Sequence, residues 1–396
     1  MEHIIDKIKS LAIENFEEIR ECRRHLHRHP ELSFEEFATS RYIQQQLTKF
    51  GVSFKADIAT TGVVAIIEGN NPGKKTIALR ADIDALPITE TNTHDYVSTN
   101  QGVMHVCGHD AHTASLLGVA KILTALKNEF EGTVKLIFQP SEEKLPGGAA
   151  VMIEEGVLEN PKVESIFAQH VFTPFEVGTV AFCFGNMLAS TDEIYITVKG
   201  KGGHGAYPHE TKDPVVMAAQ MLVALQQVVS RNMSPFQPTV LTFGKVIANG
   251  ATNIIPDEVY LEGTFRAMDE KVREQAHQLI HQIATKTVEA FGGTAVINIV
   301  KGYPVLVNDD AVTKRSYDRA VQYLGADKVK ITTPRMGAED FAFYSQKVPA
   351  CFYRLGTGNP EKGITSNIHT PTFNIDEDAL KIGMGLMAYH AISELS

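Results

Sequence analysis

The stretch TIALRAD (76–82) is an apolar run that ends on a carboxylate, and it predicts a buried strand. The runs VVAIIEG (63–69), VKLIFQP (134–140) and SIFAQHV (165–171) predict three more strands. Between them, TASLLGVAKILTALKN (113–128) repeats its apolar residues on one helical face. Strands that alternate with helices favour an α/β fold, in which helices cover a parallel-rich sheet on both faces.

A different pattern begins near Asp192 and runs strand, helix, strand, strand, helix, strand. This βαββαβ order resembles a ferredoxin-like α+β sandwich. After it, the apolar run CFYRLGT (351–357) and a helical tail return to the first pattern. We therefore expect a discontinuous domain of residues 1–187 and 303–396, with a smaller domain of residues 188–302 inserted in it.

Charge and cysteine content restrict the environment of the chain. The formal net charge of −10 argues against broad binding to nucleic acid or to an anionic membrane. The N-terminal segment predicts an amphipathic helix and lacks the basic start and cleavage site of a signal peptide. The four cysteines are scattered and form no CxxC pair, so we expect a reducing, cytoplasmic location.

Residues with metal-binding side chains cluster where the predicted strands end. They are Asp82 and Asp84 after the first strand, Cys107, His109, Asp110 and His112 in the loop HVCGHDAHT, Glu142 and Glu143, His170, and His369. Taken singly, each has a plain structural alternative, such as capping a helix or stabilising a turn. Together they predict a metal site at one sheet edge, and the mixed donors suit Zn²⁺, Mn²⁺, Co²⁺ or Ni²⁺ better than Ca²⁺ or Mg²⁺.

Two features of this set suggest hydrolysis. Gly108, between Cys107 and His109, is expected to let the backbone approach a metal without a Cβ in the way. In the pair Glu142-Glu143, one carboxylate can bind metal while its neighbour transfers protons to and from a water and a leaving nitrogen. The spacing does not assign the two roles.

The alternating histidines His25, His27 and His29 look like a metal tract, but they lie at a helix end before Pro30. We expect a structural role for them, because His and Arg are favoured near a helix C-terminus. The glycine-rich segments lack the spacing of a phosphate loop, so nucleotide binding is not expected.

The inserted domain contributes its own candidates. His204 is flanked by glycines in GKGGHGAYP, so its ring could donate a hydrogen bond to a developing oxyanion. Asn253 and Arg266 could hold a substrate carboxylate, which Arg grips through two parallel hydrogen bonds. The alternative for each is a turn residue or a surface ion pair.

These residues lie in motifs that resemble the M20 metallopeptidases, specifically the branch of aminoacylases, hippurate hydrolases and plant auxin-conjugate hydrolases. The resemblance runs nearly end to end, through RRHLHRHPELSFEE, LRADIDALP, MHVCGHDAHT, FQPSEE, KGKGGHGAYPH, TNIIPD, GTFR, MGAEDF and IHTPTFNIDEDAL.

The resemblance implies roles for individual residues. Two divalent metal ions are implied, with Cys107 as the bridge, His109 and His170 on one ion, Glu143 and His369 on the other, and Glu142 as general base and acid. Asp84 is implied to orient the ligands, and Asp82 stands where many relatives have the His of an HxD motif. His204 is implied to reach an active site, in many relatives that of the other subunit, and Asn253 and Arg266 to contact substrate. The inserted domain is then a lid and a dimer interface.

The implied activity is hydrolysis of an N-acyl amino acid, with N-acetyl amino acids as the leading substrates, by a homodimer or higher homo-oligomer. A dipeptidase and an N-carbamoyl-amino-acid hydrolase are alternatives that use the same metals. A third is a metal-loaded protein that binds amino-acid conjugates without cleaving them, although a free carboxylate beside a metal ligand favours hydrolysis. A thiol-based redox role for Cys107 has no resolving cysteine in sequence to support it.

Overall fold

The computed structural model describes residues 2–396 and divides into two compact units. The large unit contains the residues up to Gly185, together with 307–333 and 340–396. The small unit contains residues 186–306 and 334–339. The sequence predicts an inserted domain of residues 188–302, and the main segment of the small unit spans residues 186–306.

The helices and strands are numbered in chain order. The first twelve are α1 Glu2–Glu14, α2 Phe16–Arg28, α3 Phe37–Lys49, β1 Ser53–Ile58, β2 Gly62–Glu68, β3 Thr76–Asp82, α4 His109–Ala125, β4 Thr133–Gln139, α5 Gly148–Glu154, β5 Ser165–Glu176, β6 Val180–Phe182 and β7 Gly185–Leu188. The next eight are β8 Asp192–Lys199, β9 Gly203–His204, α6 Pro214–Asn232, β10 Thr239–Ile247, β11 Ile254–Ile255, β12 Glu258–Ala267, α7 Glu270–Ala290 and β13 Thr294–Lys301. The last six are β14 Leu306–Asn308, α8 Asp310–Leu324, β15 Val329–Ile331, α9 Ala342–Ser345, β16 Ala350–Gly358 and α10 Ala379–Leu395.

A large sheet forms the centre of the large unit, with strand order β1-β2-β4-β3-β5-β16-β6-β15. The four strands β4, β3, β5 and β16 run parallel to one another, and antiparallel pairs flank them. Every residue of β3, β4 and β16 is buried, which explains why these strands are continuous apolar runs. The predicted α/β fold with a parallel-rich sheet is confirmed.

Three elements have bounds that differ from those predicted from the sequence. Helix α4 begins at His109 and not at residue 113, because the N–H groups of Ala111 and His112 already bond to the carbonyl of Gly108. Its first turn is polar, so apolar periodicity could not reveal it. Strand β5 continues to Glu176, and the predicted N-terminal helix is two helices that meet at Asn15.

The small unit contains the second sheet, with order β10-β12-β8-β13 and all pairs antiparallel. Its elements follow one another as β8, α6, β10, β12, α7 and β13, so the predicted ferredoxin-like topology is confirmed. Alternate residues of β8 are buried beneath α6 and α7. None of the helices within residues 2–396 combines the length and apolar character that crossing a bilayer requires.

Candidate metal centre

The candidate residues of the large unit lie at the carboxyl ends of its parallel strands. Asp82 ends β3, the pair Glu142 and Glu143 follows β4, and His170 lies in β5. The carboxyl ends of neighbouring parallel strands share one sheet edge, which is the usual place for a site in such a fold. The first turn of α4 and the loop after β16 add further side chains there.

Five of the predicted ligands form two groups that share one residue. Donor atoms of Cys107, His109 and His170 lie within 4.8 Å of one another, as do those of Cys107, Glu143 and His369. The Sγ of Cys107 is 3.4 Å from Nε2 of His170, and Nε2 of His369 is 3.2 Å from Oε1 of Glu143. The structure therefore gathers these five side chains from four segments of the chain, since Cys107 and His109 lie on the same one.

Glu142 borders the same cluster. Its carboxylate belongs to a third group with His109 and Glu143, again within 4.8 Å. The side chain is buried, and Oε1 accepts a hydrogen bond from the backbone N–H of Asp340 at 3.3 Å.

Hydrogen bonds leave lone pairs directed at the cluster. The Nδ1 of His109 donates to Asp84, at 2.9 Å from its carbonyl and 3.1 Å from Oδ1, and its Nε2 is buried with no hydrogen-bond partner. The Nδ1 of His170 donates to the carbonyl of Val171 at 2.7 Å, which leaves its Nε2 facing Cys107. Oε1 of Glu143 accepts no well-aligned hydrogen bond, and its neighbour at 3.2 Å is Nε2 of His369, another predicted ligand. Buried acceptors without donors are the arrangement that a bound cation satisfies.

The electrostatics point the same way. Burial disfavours the protonated ring of His109, but the carboxylates of Asp82 and Asp84 raise its pKa to about 10. For His170, burial and the neighbouring His112 hold the pKa well below its usual range, so its ring is neutral. Without an ion the ring of His109 is therefore protonated, and a divalent cation at its Nε2 would replace that proton beside the same carboxylates.

Asp82 and His112 connect the elements that surround the cluster through hydrogen bonds. The Oδ1 of Asp82 accepts from Nδ1 of His112 at 2.6 Å, and its Oδ2 accepts from Arg80 at 2.6 Å. The Nε2 of His112 accepts the backbone N–H of Val171 at 2.9 Å. Oδ2 of Asp82 is also 3.7 Å from Nε2 of His109. Asp82 at the end of β3 therefore contacts two histidines of α4, and His112 extends the connection to β5.

Sequence reasoning missed two residues that brace the acidic loop. Ser33 donates to Oδ2 of Asp84 at 2.6 Å, and the same oxygen accepts the N–H of Glu143 at 3.0 Å. Glu36 accepts the N–H of Ser141 at 2.8 Å, where the backbone has a φ of +50° immediately before Glu142. The acidic residues of ELSFEE (31–36) could have suggested a functional segment, but the sequence does not show which residues they contact.

The packing of the loop gives a further reason for glycine at position 108. Its φ is +86°, and a Cβ at this position would meet Cγ2 of Val171 at 2.3 Å. Close packing of the loop on β5 therefore excludes a side chain there, because any Cβ would both strain the backbone and clash.

The small unit brings two of its three candidates together. His204 in β9 pairs with Ile254 in β11, and the N–H of Gly205 bonds to the carbonyl of Asn253 at 2.8 Å. Arg266 lies eight residues beyond the start of β12, roughly 26 Å along the strand at the usual rise per residue. It is therefore remote from that pair within the unit.

The three N-terminal histidines have different surroundings. His25 stacks on Tyr42 with ring centroids 3.9 Å apart, and His29 follows the last residue of α2, as expected of structural residues. His27 is fully buried and bonds to two carboxylates, those of Asp110 and Glu90.

Comparison with known proteins adds the following. The sequence profile of peptidase family M20/M25/M40 matches residues 78–392. The N-acetyl-L-cysteine deacetylase of Bacillus subtilis is 40% identical over 358 residues, which are 90% of this chain and 83% of that protein. The thermostable carboxypeptidase 2 of Saccharolobus solfataricus is 38% identical over 384 residues, which are 96% of each chain.

One solved structure is similar over nearly the full length. It is a Bacillus subtilis protein described as a dinuclear metal-binding peptidase from the M20 family, with a TM-score of 0.83 and 33% identity. The match covers 96% of this chain and 98% of that chain. The range matched by the family profile, residues 78–392, includes every residue of the cluster around Cys107.

Proposed function

This chain belongs to peptidase family M20/M25/M40 and is a metal-dependent amidohydrolase, and we propose that it cleaves the amide bond of N-acyl amino acids. The products are a carboxylic acid and a free amino acid, with N-acetyl amino acids as the leading substrates. The observation that carries the proposal is the pair of ligand groups that share Cys107, with the Glu142 carboxylate beside them.

The donor set suits two divalent transition-metal ions. Cys107 would bridge them, His109 and His170 would hold one, and Glu143 and His369 would hold the other. The Nε2 of His109 and Oε1 of Glu143, neither of which makes a well-aligned hydrogen bond, support this assignment. Zn²⁺, Mn²⁺, Co²⁺ and Ni²⁺ all suit this mixture of sulfur, nitrogen and oxygen. Bound there, the ions would polarise the scissile carbonyl and lower the pKa of the attacking water.

Glu142 is the proposed proton carrier. Its carboxylate would accept a proton from the attacking water and then deliver that proton to the leaving nitrogen, so that a neutral amine departs. The backbone N–H of Asp340 supports this role, because it fixes one carboxylate oxygen at the border of the cluster.

Asp84 is proposed to position the ligands. It holds the Nδ1 proton of His109, which fixes the tautomer, and it accepts the N–H of Glu143. A ligand histidine whose other nitrogen donates to a carboxylate is both oriented and made more basic.

The small unit is proposed to contact substrate. The Nδ1 of His204 accepts the N–H of Ala206 at 3.1 Å, so its proton is on Nε2, and the side chain is exposed. That N–H could stabilise a developing oxyanion, while Asn253, and less directly Arg266, would hold the substrate carboxylate.

We also propose a homodimer through the small unit. The exposed face of α6 carries three valines, Val215, Val216 and Val223, which are 41%, 52% and 70% exposed. An apolar face of this kind favours contact with another protein surface.

A second candidate function is peptide cleavage, since one of the relatives of comparable identity is named a carboxypeptidase. The same centre would serve, with a peptide in place of an acyl amino acid. An N-carbamoyl amino acid is the third substrate type to compare.

The test is turnover of a substrate panel by chelator-stripped protein, with and without added Mn²⁺, Zn²⁺, Co²⁺ and Ni²⁺. The panel contains N-acetyl, N-benzoyl and N-carbamoyl L-amino acids and dipeptides. We expect metal-restored release of amino acid, fastest from N-acyl substrates. Faster cleavage of dipeptides would favour the peptidase, and no release with any metal would contradict the proposal.

A further inference from the structure

A long connection leads into the metal centre and is attached to the N-terminal helices. The 26 described residues from 83 to 108 join β3 to α4 and belong to no helix or strand of their own. Connections of this length are uncommon in compact units unless they are functional or held in place. This one ends at Cys107, and its middle contains Glu90 and His94, which face His27 on α2.

The donor atoms of His27, Glu90 and His94 lie within 4.8 Å of one another. Oε1 of Glu90 is 3.1 Å from Nε2 of His27 and 3.2 Å from Nε2 of His94. The His27 side chain is fully buried, that of Glu90 is 4% exposed, and that of His94 is 17% exposed. None of the three residues belongs to the cluster around Cys107.

The hydrogen bonds of His27 orient it as a ligand. Its Nδ1 donates to Oδ2 of Asp110 at 2.8 Å, and that carboxylate also receives Nε of Arg23. With its Nδ1 proton committed to Asp110, Nε2 can face the Glu90 oxygen only if a second proton or a cation lies between them. A histidine that donates its other N–H to a carboxylate is the usual form of a metal ligand.

His94 favours a metal ion over a single proton. A proton on Nε2 of His27 would satisfy that ring and Glu90 alone. Nε2 of His94 faces the same Glu90 oxygen at 3.2 Å, and the buried Nδ1 of His94 has no hydrogen-bond partner among the described residues. Its ring is held in place by stacking on Tyr96, with centroids 3.7 Å apart. One cation among the three donor atoms would take the lone pairs of both Nε2 atoms together with the charge of Glu90, which a single proton cannot do.

We infer that His27, Glu90 and His94 bind a divalent transition-metal ion that ties α2 to the connection 83–108. Two imidazoles and one carboxylate are a common set for Zn²⁺. The role is structural, because the ion would fix the segment that delivers Cys107. The inference is independent of the proposed substrate.

The test compares the Zn²⁺ content of three full-length proteins after equilibrium dialysis against the same free Zn²⁺ concentration. His94→Phe removes the donor and keeps a ring on Tyr96. His25→Phe is the matched control, because His25 also stacks on a tyrosine, Tyr42, but contributes to no part of the group. We expect wild type and His25→Phe to bind one ion more per chain than His94→Phe, and to gain more in Tm from Zn²⁺.

Equal Zn²⁺ content in all three proteins would overturn the inference. If His94→Phe fails to fold, Glu90→Gln serves in its place, because the amide keeps an oxygen for the N–H of Ser98 and loses the charge. Glu90→Gln should also bind one ion fewer, and full Zn²⁺ content in that variant would overturn the inference as well.

Discussion

The candidate catalytic histidines of the two units differ in how firmly they are held. His109 in the large unit is fully buried, and its ring is fixed by two acceptor atoms of Asp84. His204 in the small unit is exposed on a two-stranded ribbon, and its ring accepts one backbone N–H. A metal ligand must present its lone pair before the ion arrives, whereas a group that contacts substrate can complete its geometry on binding. The large unit is thus preorganised and the small unit adaptable.

The largest effect is expected from Glu142→Gln in the preorganised unit. The amide cannot accept the proton of the attacking water, so kcat should fall by about 10²–10⁴-fold. Metal content should stay equal to wild type, because Glu142 is not assigned as a ligand. The checks are steady-state kinetics and elemental analysis of the same sample, and a kcat within a few-fold of wild type would remove Glu142 from the mechanism.

His204→Ala probes the adaptable unit. Loss of one donor to the developing oxyanion should lower kcat by about 10²–10³-fold, with a smaller change in KM. Because the side chain is exposed, Tm and metal content should not change. Asn253→Ala, in the neighbouring strand connection, should instead raise KM. A change confined to KM in His204→Ala would mean that this ring only binds substrate.

Asp84→Asn tests how the preorganisation arises. The amide can no longer hold the Nδ1 proton of His109 as a charged acceptor, so metal affinity should fall by about 10–100-fold. Added metal should restore much of the turnover, which Glu142→Gln would not allow. Ser33→Ala, which removes a single hydrogen bond to the same carboxylate, should shift metal affinity in the same direction by less.

Glu394→Gln is a control variant that should change the stability of the protein and leave its catalytic activity unchanged. Burial raises the pKa of this carboxyl, but hydrogen bonds from Arg315, Arg319 and Lys75 outweigh it and lower the pKa to about 2. A pKa depressed in the folded state stabilises the protein above the unfolded value, near 4.5, and this contribution is lost as the pH falls towards 2.

The variant should therefore have a lower Tm at pH 7, by a few degrees, and the difference should shrink between pH 4.5 and 2. Its kcat at neutral pH should match wild type, because the carboxylate lies at the end of α10. A Tm difference that is constant with pH would contradict the assigned ion pairs.

The fold could be predicted where burial is complete. Strand β3 has the bounds that the sequence predicts, residues 76 to 82, and β4 is displaced by one residue. Such strands are covered on both faces, so their apolar runs are unbroken. The start of α4 could not be predicted in this way, because His109, Asp110 and His112 turn towards polar partners and give that turn no apolar period.

The candidate site was predictable as a set of residues but not as a network. Carboxyl ends of parallel strands converge, so Glu143 and His170 could be expected near Cys107 from the strand order alone. The hydrogen bonds of Ser33 to Asp84 and of Glu36 to Ser141 join residues 51 and 105 positions apart. No local pattern encodes such contacts, and the ring tautomers depend on them.

The central claim is that Cys107 is shared by two metal ions at the edge of the large sheet. The most direct test is X-ray diffraction from crystals soaked in Mn²⁺, with data collected at the manganese absorption edge. The account predicts two anomalous peaks flanking the Cys107 thiol, one between His109 and His170 and one between Glu143 and His369. A single peak, or none beside Cys107, would contradict it.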